Sequence, residues 1–152
     1  MMATCLADAL HEAVEDVLEK MFFAEAAPMD AETGPPEELL AARVDFEGSP
    51  SGRLNLRITV PAARALAADF LGEEASDLSP DATAEVIGEL ANMICGSLLS
   101  RVESDTAFRL SAPVVAFETG PLVRESDGPA SRLAALESGA LRVCLVCESA
   151  LP

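Results

Sequence analysis

One segment of the chain carries polar residues at a spacing that could serve chemistry. Four residues recur at intervals of four, three and four positions and so form one stripe along a helix: Glu85, Glu89, Asn92 and Gly96. Because Glu89 and Asn92 are one turn apart, both side chains can reach a single object lying on that helix. An asparagine amide can donate a hydrogen bond to a phosphoryl oxygen and accept one from water, whereas a carboxylate only accepts.

Asn92 is an unusual choice at its position. The chain contains no glutamine and only two asparagines, Asn55 and Asn92. Asparagine is a mediocre helix former, and a glycine such as Gly96 costs about 1 kcal/mol relative to alanine inside a helix. Two unfavourable residues on one face indicate either the close approach of a partner or a solvated polar face whose glycine packs against another helix.

Other catalytic groups are scarce. His11 is the only histidine, so any Ser/His or Cys/His relay would depend on it alone. Cys144 and Cys147 have the spacing of a redox motif, but they fall in a predicted strand, where residues three apart point to opposite faces. We therefore predict structural cysteines and no metal site or cofactor of the protein's own.

The polar stripe lies on the strongest predicted helix, residues 81–102. Ser79 is the expected N-cap, with Pro80 at the first helical position. The apolar residues of this helix predict the face that is buried: Val86, Ile87, Leu90, Ile94 and Leu98.

The remaining pattern predicts an α+β domain. Further helices are expected at 7–27 and 61–71, and strands at 39–46, 53–60, 108–118 (broken at Pro113), 131–136 and 140–148. Hairpins with one apolar face, each preceded by a long amphipathic helix, imply an antiparallel sheet covered by helices. Residues 1–152 then form one domain with a degenerate internal duplication, the repeats spanning about 5–72 and 80–150.

Composition excludes several classes of partner. The 152 residues are 50% hydrophobic, which is compatible with a folded core, and carry a formal net charge of −16, which argues against binding nucleic acid or an anionic membrane. The longest uncharged stretch, residues 90–100, is far shorter than the roughly 20 residues that span a bilayer. Since the N-terminus also lacks the pattern of a signal peptide, we expect a cytoplasmic protein.

The segment Glu-Leu-Ala-Asn at 89–92 resembles the E-x-x-N motif of the CheC/CheX/FliY family of chemotaxis phosphatases. Glu85 matches an acidic residue or serine found four positions before the motif, and residues 15–22, 44–54 and 65–72 extend the likeness over most of the chain. Pro113 comes slightly earlier than the proline that follows the family's motif. A single motif makes the CheX branch the nearer match, and the family's pseudo-duplicated α+β fold agrees with the predicted repeat.

The resemblance implies that the protein hydrolyses the aspartyl phosphate of a CheY-like response regulator. Asn92 would orient the attacking water and Glu89 would pair with a cationic group of the regulator, while Glu85 and Gly96, with the small Ala91, would meet the partner. Magnesium would belong to the regulator, and the family is compatible with a homodimer.

Two other classes of function remain open. One is a non-catalytic binding or dimerisation module of a two-component pathway that grips its partner through the same helix. The other is a structural module in which strand 140–148 pairs edge to edge with a second copy.

Overall fold

The computed structural model describes residues 2–29, 34–48, 51–102, 107–128 and 130–147. Within them lie three helices, α1 (Met2–Phe22), α2 (Val60–Leu71) and α3 (Pro80–Ser100). Seven strands form one sheet: β1 (Ala27–Pro28), β2 (Glu37–Glu47), β3 (Gly52–Thr59), β4 (Arg109–Leu110), β5 (Val114–Gly120), β6 (Ser131–Leu136) and β7 (Gly139–Cys147). The α+β class predicted from the sequence is confirmed.

All the pairings in the sheet are antiparallel, in the order β1-β6-β7-β3-β2, and the far edge of β2 is shared by β4 and β5. The long strand β2 pairs with β5 along Glu37–Arg43 and with β4 at Phe46 and Glu47. The predicted strand at 108–118 is thus divided at Pro113, as expected, because proline has no N–H to continue the ladder.

The suggestion that the last strand is a free edge is wrong. β7 is hydrogen-bonded to β6 on one side and to β3 on the other, so that Arg142 lies between Leu133 and Arg57. Residues 141–144 of β7 are paired on both sides within this chain, so β7 is an interior strand of the sheet and not an edge for a second copy. Glu148, which was expected to end this strand, lies outside the described residues.

Apart from the two-residue strand β4, the order of strands in the sheet is symmetric about its centre. Exchanging β1, β2 and β3 with β5, β6 and β7 gives the same order read in reverse. The duplication of residues 5–72 and 80–150 stays a prediction, and this symmetry is the arrangement that it would produce.

The core lies between one face of the sheet and the three helices. Alternate residues of β3, such as Leu54, Leu56 and Ile58, are fully buried beneath the helices. The other face carries a smaller apolar cluster, in which Leu122 and Val123 of the β5–β6 connection cover Leu39 and its neighbours.

The first helix ends earlier than predicted. Phe23 adopts φ +53°, and the Ala24 N–H donates to the Leu18 carbonyl at 2.9 Å, which closes α1. The predicted helix continued to Ala27 because alanines follow Phe23. In the structure Ala27 belongs to β1, where it pairs with Ala135 of β6. α2 ends as expected at Gly72, whose φ of +68° suits glycine.

Candidate functional site

The polar stripe sits on a helix with well-defined ends. The Ser79 side chain accepts a hydrogen bond from the Ala82 N–H at 3.0 Å, and Pro80 occupies the first turn, as predicted. At the other end the Arg101 guanidinium donates to Asp16 of α1 at 3.0 Å, which ties α3 to α1. The predicted buried face is confirmed residue by residue: Val86, Ile87, Leu90, Ile94 and Leu98 are all buried. The opposite face is therefore held outward in a fixed orientation.

α3 also has the length and apolar composition that could cross a bilayer, but 56% of that window is buried inside the protein. Its apolar side chains are the core of the domain, which accounts for the composition.

The two glutamates of the stripe are exposed and free. Among the described residues, neither Glu85 nor Glu89 takes part in an ion pair or a side-chain hydrogen bond. Both carboxylates are thus available to a cationic group from outside the chain, without first breaking an internal contact.

The Asn92 side chain is half-buried, whereas the sequence led us to expect it exposed. Its Oδ1 is buried with no hydrogen-bond partner, and its Nδ2 makes no hydrogen bond within the described part of the chain. A buried carbonyl oxygen without a donor costs about 1–3 kcal/mol. Since nothing ties either end of the amide, a half-turn about its terminal bond can present the nitrogen or the oxygen outward.

Gly96 of the stripe and the nearby small residue Ala91 have opposite surroundings. Gly96 is exposed, and a Cβ placed there would meet no atom of any other described segment within 4 Å, so the interpretation that it packs against one of the described helices is wrong. Ala91, which we expected to leave room for a partner, is fully buried and faces the core instead. Positions 91 and 92 lie about 100° apart around the helix, so Ala91 is turned toward the core while Asn92 stays on the stripe. The small side chain at position 91 therefore serves the packing of α3.

An apolar groove of about 480 Å³ runs beside the two glutamates. Phe70 and Leu71 from the end of α2 form one wall, and Pro113 and Val115 form the other. Gly88 lies on the α3 side of the groove, where a Cβ would come within 3.2 Å of the Pro113 ring. Sequence reasoning missed this groove; the signals that pointed to it were a second mid-helix glycine and the large apolar Leu71 at a helix end.

The other candidate residues lie away from the stripe. His11 is on α1, where its Nε2 is 3.1 Å from Glu15. Cys144 and Cys147 are free thiols, and desolvation raises the pKa of Cys144 to about 11 and shifts the pKa of Cys147 in the same direction. Within the described ranges, no cluster of three or more histidine, cysteine, aspartate or glutamate side chains could hold a metal ion.

Comparison with known proteins assigns the family. A family model described as chemotaxis phosphatase CheX matches residues 40–133, more than half of the chain, and this segment contains the stripe on α3. No curated protein matches the chain.

Three solved structures illustrate the shared fold. A CheX from Desulfovibrio desulfuricans is 22% identical with a TM-score of 0.70, covering 94% of this chain and 99% of that one. A CheX from Vibrio vulnificus is 19% identical with a TM-score of 0.73, covering 94% and 96%. A CheX–CheY–BeF3–Mg²⁺ complex from Borrelia burgdorferi gives 17% identity and a TM-score of 0.67, covering 93% and 97%. The family match and the fold together establish that this chain belongs to the CheX family of chemotaxis phosphatases.

Proposed function

We propose that this protein hydrolyses the aspartyl phosphate of a CheY-like response regulator, using the stripe on α3. The observation that carries the proposal is the Asn92 amide, which has no hydrogen-bond partner among the described residues and lies one turn from the unpaired Glu89. The CheX–CheY complex from B. burgdorferi supports a regulator of this type as the partner.

The reaction requires few chemical groups from the phosphatase. Water attacks phosphorus in line, the bond between phosphorus and the aspartyl oxygen breaks, and inorganic phosphate leaves a free carboxylate on the regulator. Because an acyl phosphate is already activated, the enzyme need only orient water and exclude unproductive geometries. A hundredfold acceleration corresponds to about 2.7 kcal/mol, which is within the reach of one well-placed amide.

Each residue of the stripe has a separate role in this proposal. Asn92 positions the water, and its neutral amide can approach a phosphoryl group that would repel a carboxylate. Glu89 pairs with a cationic group of the regulator and fixes α3 at the phosphorylated site, with Glu85 beside it. At Gly96 the missing side chain lets the partner approach the helix backbone.

No metal of this protein takes part in the proposed mechanism. Magnesium belongs to the regulator's own phosphorylation site, and we place the reaction in the cytoplasm, where such regulators act. A homodimer is a further part of the proposal, and light scattering coupled to size-exclusion chromatography tests it.

The decisive experiment mixes the protein with phosphorylated receiver domains and follows the loss of phosphate against the intrinsic rate. Faster loss with the wild-type chain and not with Asn92→Ala supports the proposal. Tight binding to a receiver domain without faster loss would instead favour the non-catalytic binding module.

A further inference from the structure

The face of the sheet opposite the helices carries a second groove, of about 390 Å³. Its walls include the small or apolar side chains of Ala41, Val114, Ala116 and Val146, two of which are markedly exposed: Val114 at 56% and Val146 at 47%. The connection between β5 and β6 closes one side and is anchored by Leu122 and Val123 in the smaller apolar cluster. The groove is thus a built feature of the sheet, with the size of a small-molecule site.

Three polar side chains converge on this groove from adjacent strands. Arg43 and Asn55 face each other across β2 and β3 as direct partners in the ladder, and Arg57 lies two positions further along β3. Asn55 is half-buried, and its amide makes no hydrogen bond to any described residue. All three side chains line the same groove, and their guanidinium and amide N–H groups are donors of the kind that bind carboxylate or phosphate oxygens.

Arg57 is the deepest of these groups, with only 8% of its side chain exposed. Its Nε donates to the Leu122 carbonyl at 3.0 Å and its Nη2 donates to Asp127. Its Nη1 makes no hydrogen bond within the described part of the chain. The two N–H groups of Nη1, on a buried guanidinium, are thereby left for a ligand.

The charges around the groove do not cancel. Asp127 is the single carboxylate shared by two buried guanidiniums, since Arg142 Nε also donates to it at 2.9 Å. Arg124 is matched by Glu118 at 2.6 Å. Arg43 has only a loose contact with Asp45, at 3.9 Å. Asp45 is itself held more closely by Arg53, at 2.8 Å.

The described residues that line the groove carry three guanidiniums and two carboxylates, Glu118 and Asp127, an excess of positive charge in a chain whose formal net charge is −16. An excess cation that is largely removed from water is unfavourable, and a bound anion offsets that cost.

We propose that this groove binds a small organic anion. Its carboxylate or phosphate group lies between Arg43, Asn55 and Arg57, and its apolar part rests against Val114 and Val146. The site is on the opposite side of the sheet from α3, so it is independent of the phosphatase proposal, and either can fail without the other.

Three probes of matched shape test the site: phenyl phosphate, benzoate and the cation benzamidine. Binding to the full chain is measured by titration calorimetry, and the location by backbone amide shifts in NMR spectra. We expect saturable binding of phenyl phosphate, benzoate or both, with shifts centred on Asn55 and Ala116, and no binding of benzamidine. Binding of only one anion identifies the preferred charged group, phosphate or carboxylate.

Variants that leave the buried ion pairs in place make the test specific. Arg43→Gln and Asn55→Ala should each weaken anion binding at least tenfold, because a charged or amide donor to the anion is lost. Lys20→Gln removes the same unit of charge from α1, on the other side of the sheet, and should bind as the wild type does. Absence of anion binding at millimolar concentration, equal binding of benzamidine, or equal loss in Lys20→Gln would each overturn the proposal.

Discussion

The Pro113 ring lies against Gly88 so closely that a Cβ on Gly88 would be 3.2 Å from its Cγ, while Gly96, two turns further along α3, faces open space. Two glycines in one helix thus have opposite surroundings. Alanine at Gly96 should raise the free energy of unfolding by about 1 kcal/mol, because it only improves helix propensity. At Gly88 crowding against Pro113 and Val115 should cancel that gain. Thermal and urea melts of Gly88→Ala and Gly96→Ala measure the contrast, and equal stabilisation of both would contradict it.

The same Gly96→Ala variant separates stability from function. If the partner approaches the helix backbone here, the added methyl should slow dephosphorylation of the regulator several-fold in a protein that is more stable than the wild type. An unchanged rate would show that Gly96 lies outside the contact.

Replacing Asn92 should abolish activity without harming the fold. Asn92→Ala removes a buried oxygen that has no partner, so stability should stay the same or rise slightly, while stimulated dephosphorylation should fall by about a hundredfold, to the intrinsic rate. The matched control is Asn55→Ala, the other amide of the chain, which should dephosphorylate as the wild type does. Full activity in a well-folded Asn92→Ala protein would eliminate the mechanism.

Glu89 should contribute mainly to binding of the regulator. An unpaired, exposed carboxylate that meets a cation on the partner supplies affinity that weakens as salt screens it. We expect Glu89→Gln to raise KM for the phosphorylated regulator about tenfold and to lessen the dependence of KM on salt. Glu47→Gln on β2 removes the same charge from an exposed position away from the stripe and should leave KM unchanged. A loss confined to kcat would assign Glu89 a part in the chemical step.

Stimulated dephosphorylation should be nearly independent of pH between about 6 and 8.5. An asparagine does not ionise, and burial holds the pKa of the nearby Cys95 thiol at about 12, far above this window. Rates corrected for the regulator's intrinsic hydrolysis measure this. A bell-shaped profile within the window would indicate general acid–base catalysis, for which His11 is the one histidine available.

Stability should fall at low pH through Asp127. Burial alone would raise the pKa of this carboxyl, but hydrogen bonds from the Arg124 backbone and from Arg57 and Arg142 outweigh it and hold the pKa below its ordinary value. Because the pKa is lowered in the folded state, the contribution of Asp127 to the free energy of unfolding is fully present above the ordinary aspartate pKa, about 4. This contribution is lost as the pH falls through the folded-state pKa. Asp127→Asn should be destabilised by about 3–5 kcal/mol at pH 7, because two buried guanidiniums lose their carboxylate.

Urea melts from pH 7 down to pH 2 provide the check. Asp127→Asn should lose less stability over this range than the wild type does. Arg109 is exposed on the short strand β4, so Arg109→Gln should follow the wild-type curve. An identical slope in Asp127→Asn would assign acid unfolding to other carboxyl groups.

The periodic spacing of apolar residues predicted the helices and strands of this fold well, because an element buried on one face needs apolar residues at regular intervals in the sequence. The buried face of α3, its Ser79 cap and the break at Pro113 were all predicted from local pattern. The order of the sheet was not, since the pairing of β7 with β3 joins residues far apart in the chain and has no local signature.

The functional role of the candidate site stays a prediction, and the sequence displayed only part of its geometry. Spacing identified the stripe of Glu85, Glu89, Asn92 and Gly96, but not its surroundings. The apolar groove beside it is lined by Leu71 and Pro113 from distant parts of the chain, and the second groove depends on a loop folding back over Arg57. Both are products of tertiary contact between distant segments, which a single sequence does not display.

The symmetric strand order has a consequence for how the chain acquires its structure. β1 leaves the first half to pair with β6, and β5 leaves the second half to pair with β2, while β3 and β7 join the halves at the centre. Each half therefore lends an outer strand to the other, and neither can complete a sheet by itself. On a ribosome, the first hairpin must wait with its central edge unpaired until β7, which lies much later in the sequence, has emerged.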